Sequence, residues 1–297
     1  MQPYSSHQIE KGGIARLPLN IGTTDLIRIP LISYKRAQVL NELGITTIHD
    51  LLSCNPTTLS HHEKIKRCNG SFSKQIPLIM QYARSIAENK IIVTGIDENF
   101  KNIDDSKVYF LDLEYDANSF YIFLYGLMDS KRNITQIFVE EPSDEKNALE
   151  EFLEELISKR DATFVTYASK AADKPILMKS LNKFGLPITL VENVRFFDLF
   201  YDVIFTQKPG KQKIFLPIKP ITEKTVSDYF GYKEPKNLQI HNGLQALLEY
   251  KRYLKSKNEK VRKQLLKYNR SDLERIRLIF SKIYDVFKEP RVCEPIL

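Results

Sequence analysis

Tryptophan is absent, and cysteine occurs only at Cys54, Cys68 and Cys293 in 297 residues. Three scattered thiols cannot build a disulfide framework, so the fold must rest on an apolar core. No apolar run approaches the roughly 18–20 residues that cross a membrane. The start, Met1-Gln2-Pro3-Tyr4, holds no signal-peptide core. These absences set the expectation of an intracellular, reducing, cytoplasmic location. Cys54, His61, His62 and Cys68 match no common zinc-finger spacing, and adjacent histidines cannot both point inward from one helix. They read as surface histidines and small buried cysteines. A large imbalance of charge between the parts of the chain is lacking too. The net charge is +7, and residues 1–100 carry 11 Lys and Arg against 8 Asp and Glu. A polyanionic partner suits that balance without an extreme basic tail.

Residues 1–24 show no clear period and read as a loosely ordered lead-in. From Leu26 the pattern changes: Leu26, Ile29, Ile32, Ala37, Leu40 and Leu43 recur at helical spacing, interrupted at Pro30. Gly44-Ile45-Thr46 stops one helix and starts another, and residues 76–86 form a further amphipathic helix. Residues 25–88 are therefore expected to be a small all-α unit. Residues 97–105 read as a polar linker before a second domain over residues 106–288.

That domain opens with strands over 107–113, 119–128 and 134–139, joined by short polar segments in an antiparallel meander. A helix over 143–159 follows, with Ser143 as candidate N-cap. Then come a strand over 162–167, a helix over 175–184 and a short helix over 226–230. The expected class is α/β: a mixed sheet flanked by helices.

Three sets of residues carry chemistry. Asp112 and Glu114 lie two apart on the first strand, so both reach one point, where two carboxylates call for a divalent cation. Asp173 stands at a strand-to-helix step, at the edge where sites gather in such sheets. Read alone, it is a helix-start carboxylate favoured by the helix dipole. Tyr268 and Asp272 share a face of a late helix. In a chain with 15 tyrosines, Tyr-x-x-x-Asp arises by chance about once, as does Asp-x-Glu. The information lies in their joint order.

That order resembles the DEDD exonucleases of the ribonuclease H-like superfamily, in the branch marked by tyrosine, and more narrowly the YprB-type group. The carrying segments are Phe110–Glu114, Ile122–Leu127, Thr166-Tyr167 leading to Asp173–Leu177, and Leu266–Asn269 with Asp272-Leu273. Upstream, Ile29, Pro30, Ile32, Ala37 and Leu40 resemble a helix-hairpin-helix motif, with Leu31 and Ser33 where two glycines usually stand. Together these cover roughly residues 25–285. Other departures are Tyr115 for a small threonine, Ala168 for a frequent asparagine and Ala172 for a phenylalanine. Asp198 matches a frequent Asp-Leu on the following strand, where a structural role is expected.

The resemblance implies a 3′–5′ exonuclease using two ions, Mg²⁺ or Mn²⁺, held by Asp112, Glu114, Asp173 and Asp272, with Tyr268 orienting the attacking water. Its substrate would be DNA, as single strands or ends, or RNA. Lys35 and Arg36 beside the hairpin, and Lys260, Arg262, Lys263, Lys267 and Arg270 on the late helix, are the expected nucleic-acid contacts. The rival readings are a catalytically weak or inactive nucleic-acid-binding scaffold that keeps the fold, and a purely protein-binding module.

Overall fold

The structure, a computed structural model, describes residues 25–95 and 97–288. The expected lead-in over residues 1–24 and Cys293 lie outside the described residues.

The N-terminal unit is all-helical. After a reversal at residues 27–31, it runs through α1 (Tyr34–Asn41), α2 (Ile48–Leu52), α3 (Pro56–His61), α4 (Glu63–Cys68) and the long α5 (Gly70–Glu88). Each start has a side chain that satisfies free backbone donors. Ser33 caps α1, Thr47 forms a reciprocal capping box with Asp50, and Asn69 caps α5. The apolar positions at helical spacing converge, so that Leu26, Ile29, Ala37, Leu40, Phe72 and Ile79 are fully buried in one cluster. Leu31, which stands where the resembled motif has a glycine, adopts φ 70°, the left-handed backbone that glycine enters without strain.

Arg36 corrects the expectation made for it. It is only 7% exposed, and its guanidinium donates to Leu31 O at 2.6 Å, Gln75 Oε1 at 2.9 Å, Asn69 Oδ1 at 3.1 Å and Ser71 Oγ at 2.9 Å. It holds the reversal against the start of α5, and its donors are turned inward. Lys35 beside it is exposed.

The two parts interlock. β1 (Ile92–Val93) pairs antiparallel with β7 (Ile214–Phe215), and Phe215 is buried in the N-terminal cluster. From the turn after β7, Lys219 Nζ donates to three carbonyls of the reversal: Ile27 O at 2.6 Å, Ile29 O at 3.0 Å and Ile32 O at 2.9 Å. The expected polar linker is also structural. It contains α6 (Glu98–Lys101), whose Phe100 is fully buried against Phe197, Phe280 and Phe287.

The second part is a five-stranded sheet in the order β4-β3-β2-β5-β6. The first three strands are the expected meander: β2 (Val108–Asp116), β3 (Tyr121–Asp129) and β4 (Ile134–Phe138). β5 (Thr163–Thr166) and β6 (Arg195–Asp198) then run parallel to β2. On one face lie α7 (Glu145–Ser158) and α8 (Asp173–Phe184), packed on Leu111 and Leu113. On the other lies a 30-residue helix, the last among the described residues, whose Leu273, Ile276 and Ile279 pack on Val108 and Phe110. Ahead of it come α9 (Thr189–Glu192), α10 (Glu223–Tyr229) and α11 (Gly243–Ser256), so the long helix is α12 (Glu259–Lys288). Ser143 is not an N-cap. A 3₁₀ turn, Pro142–Asp144, precedes α7, and Glu141 and Asp144 exchange the capping bonds there.

Replacing Arg36 by Met should strand Leu31 O and Gln75 Oε1 and cost about 3 kcal/mol in urea unfolding. Lys35→Gln, at an exposed site, should change stability by less than about 0.5 kcal/mol.

Candidate metal centre

Strand alternation places Asp112 and Glu114 on the face of β2 that meets α12, while Leu111 and Leu113 point to the opposite core. From α12, Asp272 meets them. Carboxylate oxygens of Asp112, Glu114 and Asp272 all lie within 4.8 Å of one another. Asp173, the first residue of α8, does not join that group. It lines the same cavity of about 450 Å³, together with Tyr115, Tyr268, Leu244 and Leu247. The parallel pairing of β2 and β5 is what carries Asp173 to this edge.

Two further carboxylates line the cavity: Asp116, at the end of β2 and paired with Lys251 at 3.2 Å, and one that no sequence motif marks. Glu223, at the start of α10, lines the cavity, and its Oε1 is buried with no hydrogen-bond partner. No spacing rule could have found it, because about fifty residues separate it from its neighbours on either side.

Asp112 is held by Asn269, which is fully buried. Its Nδ2 donates to Asp112 Oδ2 at 2.8 Å and to the Asp112 carbonyl at 3.3 Å, while its Oδ1 accepts from Gln136 Nε2 at 2.9 Å. Asp112, Gly126 and Gln136 are register partners across β2, β3 and β4. Asn269 therefore spans three strands from α12, and only a glycine at 126 leaves room. A Cβ there would sit 2.1 Å from Asn269 Oδ1.

Asp272 is oriented from the other side. Its Oδ1 accepts from Arg275 Nη1, and Arg275 Nη2 donates to Glu234 Oε1 at 2.6 Å. The guanidinium lies 5.2 Å over the Tyr232 ring, whose hydroxyl meets Ser271 Oγ at 2.9 Å. Asp198, by contrast, is a scaffold. It accepts from the backbone N–H of Ala168, Lys170, Phe200 and Tyr201 at 2.9–3.1 Å. Ala168 there has φ 59°, which asparagine tolerates better than alanine.

The electrostatics follow from burial. Desolvation, then the neighbouring carboxylates Asp272 and Asp173, push Asp112 well above the ordinary carboxylate range. Burial and the same cluster do so for Glu114, and burial also raises Glu223. Burial and then Asp198 raise Asp173 to about 7. Asp272 rises only to about 6, because the Arg275 charge opposes its burial. Burial, and after it the Asp272 charge, hold the Tyr268 phenol far above its usual value, so it is a donor and not a base.

This donor set fits a hard divalent cation. All its ligand atoms are carboxylate oxygens, and Glu114 Oε1 is buried without a partner. The expected basic contacts divide. Arg262 Nε is tied to Glu140 Oε1 at 2.7 Å, whereas Lys260, Lys263 and Arg270 are exposed and Lys267 is half-buried.

Gly126→Ala should displace Asn269 and destabilise the protein by about 3 kcal/mol, measured by thermal or urea unfolding. The raised carboxylates also predict a pH dependence. Groups that hold protons more tightly when folded stabilise the metal-free chain fully below their unfolded value of about 4, and lose that effect as pH rises from there through about 6 to 7. In EDTA, the Tm should fall across that window. Asp173→Asn should flatten the fall, and Mn²⁺ at pH 7.5 should reverse it.

The family described as the RNase_H superfamily matches residues 109–284, from the start of β2 to the last turns of α12. No curated protein matches the chain. Among solved structures, the chain is similar to the family B DNA polymerase from the hyperthermophilic archaeon Pyrobaculum calidifontis, at 18% identity and a TM-score of 0.46. That alignment covers 59% of this chain and 24% of the polymerase, so the chain spans about a quarter of its relative. The matched span of 109–284 is more than half of the chain and holds every carboxylate of the cavity, and on that ground the chain belongs to the RNase_H superfamily.

Proposed function

We propose that the chain is a metal-dependent nuclease, a 3′–5′ exonuclease of the tyrosine-marked DEDD type and of the YprB-type group, acting on DNA or RNA. The observation that carries this reading is the convergence of Asp112, Glu114 and Asp272 within 4.8 Å in a cavity that also holds Asp173 and Tyr268. Asp112, Glu114, Asp173 and Asp272 would hold Mg²⁺ or Mn²⁺, two ions in all. Bound there, such ions supply an activated water and charge stabilisation for the leaving oxygen of a phosphodiester.

The chain's own groups have distinct tasks. Asn269 locks Asp112 in one rotamer, and Arg275 aims Asp272 while keeping it ionised. Tyr268, protonated and hydrogen-bonded to Asp272, would donate a hydrogen bond that orients the attacking water without taking its proton. Leu244 and Leu247 form an apolar side of the cavity.

The helical unit over residues 25–88 is read as a helix-hairpin-helix unit that docks on the nuclease domain. With Arg36 and the hairpin carbonyls engaged internally, Lys35 remains its candidate phosphate contact. A cytoplasmic location is part of the same reading.

Two observations favour the second reading, a nucleic-acid-binding scaffold without turnover. Arg275 already partners Asp272, and Asp173 stands outside the tight group.

The test is a 5′-labelled single strand with Mn²⁺. Stepwise shortening from the 3′ end is expected, with rates reduced at least about 100-fold in Asp112→Asn and Asp272→Asn and about tenfold in Tyr268→Phe. Rates unchanged in both aspartate variants would overturn the assignment, and binding without any shortening would favour the scaffold.

A further inference from the structure

α11 separates two depressions. Gly243, Leu244 and Leu247 line the carboxylate cavity. Gln245, Leu248 and Arg252 line a second groove of about 610 Å³, closed on the far side by Lys260 and Lys263 at the start of α12. The crest between them is apolar. Leu244 is 68% exposed and Leu248 57%, the two most exposed large hydrophobic side chains among the described residues. They are four apart and so stand one above the other on the helix.

The groove is cationic. Arg252 is paired with Glu249 at 3.4 Å, but Lys260 and Lys263 have no acidic partner among the described residues. Helix amphipathicity does not explain the crest, because α11 buries Ala246, Tyr250 and Tyr253 and leaves these two leucines to solvent.

We infer that the crest and groove form a binding site for single-stranded polynucleotide, which leaves the carboxylate cavity over Leu244 and Leu248 and runs between Arg252, Lys260 and Lys263. The inference rests on the reading of the cavity as the phosphodiester site. The chemistry selects the strand state. Exposed apolar side chains gain contact only from open base faces, which a single strand offers and a duplex stacks away. The cations meet the phosphates of either form. The groove amide of Gln245 offers its Nε2 hydrogens, because its Oε1 already accepts from the His241 N–H at 2.8 Å, and every base has an acceptor to meet them. DNA and RNA share this chemistry.

Fluorescence anisotropy of labelled oligo(dT) and oligo(rU), and of a DNA duplex of equal length, in EDTA between 25 and 200 mM NaCl would test the site. Single strands should bind more tightly than the duplex. The pair Lys260→Gln with Lys263→Gln should weaken binding about tenfold at low salt and make the plot of log K against log salt shallower by about 1.4, the value for two phosphate contacts on a single strand. The pair Leu244→Ser with Leu248→Ser should weaken single-strand binding about fivefold and leave the duplex unaffected. All four side chains reach solvent, and circular dichroism would verify the fold.

Unchanged affinity in both pairs, preference for the duplex, or no strand binding at all would each overturn the inference. The last result would point instead to a protein partner on the crest. Mn²⁺-dependent shortening by the unaltered protein reports on the nuclease reading separately. Shortening with groove-independent affinity sinks the groove alone. Groove-dependent binding without shortening supports the groove and sinks the nuclease.

Discussion

Carboxylates buried side by side repel one another, and the centre of this protein is built around that repulsion. Asp112, Glu114 and Asp272 come within 4.8 Å, and Asp173 and Glu223 border the same cavity. In water such a group would separate. Here the backbone prevents it, because two of the three sit on one strand face and the third on a helix packed against that strand. Arg275 opposes that repulsion from one side, bonded to Asp272 and acting through its charge on Glu223. The remaining charge is relieved by protons at low pH or by a divalent cation, so proton and metal occupancy are linked to folding.

The force that holds the site together lies elsewhere. Apolar packing of α12 on β2 and β5 brings Leu273, Ile276 and Ile279 against Val108, Phe110 and Val165. Burying such side chains contributes about 1.5–3 kcal/mol each, enough in sum to outweigh the local repulsion. Asn269 converts that loose proximity into a defined position by bonding Asp112 and Gln136 through the gap at Gly126. The same logic governs the N-terminal unit. Apolar contact brings it to the sheet domain, and Lys219 on three carbonyls sets its orientation.

Much of this was legible in the residues. The strands β2 to β4 showed as apolar and aromatic runs with polar joins, and Asp112, Glu114, Tyr268 and Asp272 were readable because local spacing puts each pair on one face. The misreadings have local causes. Residues 97–105 look polar, yet Phe100 within them is a core residue, because a single aromatic can anchor a loop that has no period. Arg36 looked like a phosphate contact because charge is visible in a sequence and burial is not. Glu223 and Arg275 carried no signal, since neither belongs to a spaced motif.

What the amino-acid order determined by itself was short-range: the elements, their apolar faces, and which acidic side chains share a face. Those depend on backbone geometry over a few residues. What only the tertiary structure decided was convergence. β2, α8, α10 and α12 meet at one cavity, Asp173 and Glu223 border the group without entering its tightest part, and α11 presents an apolar crest between that cavity and a basic groove. Those outcomes depend on how helices far apart in the chain pack across a sheet, and packing is settled by shape and buried area summed over the whole core, which no local spacing encodes.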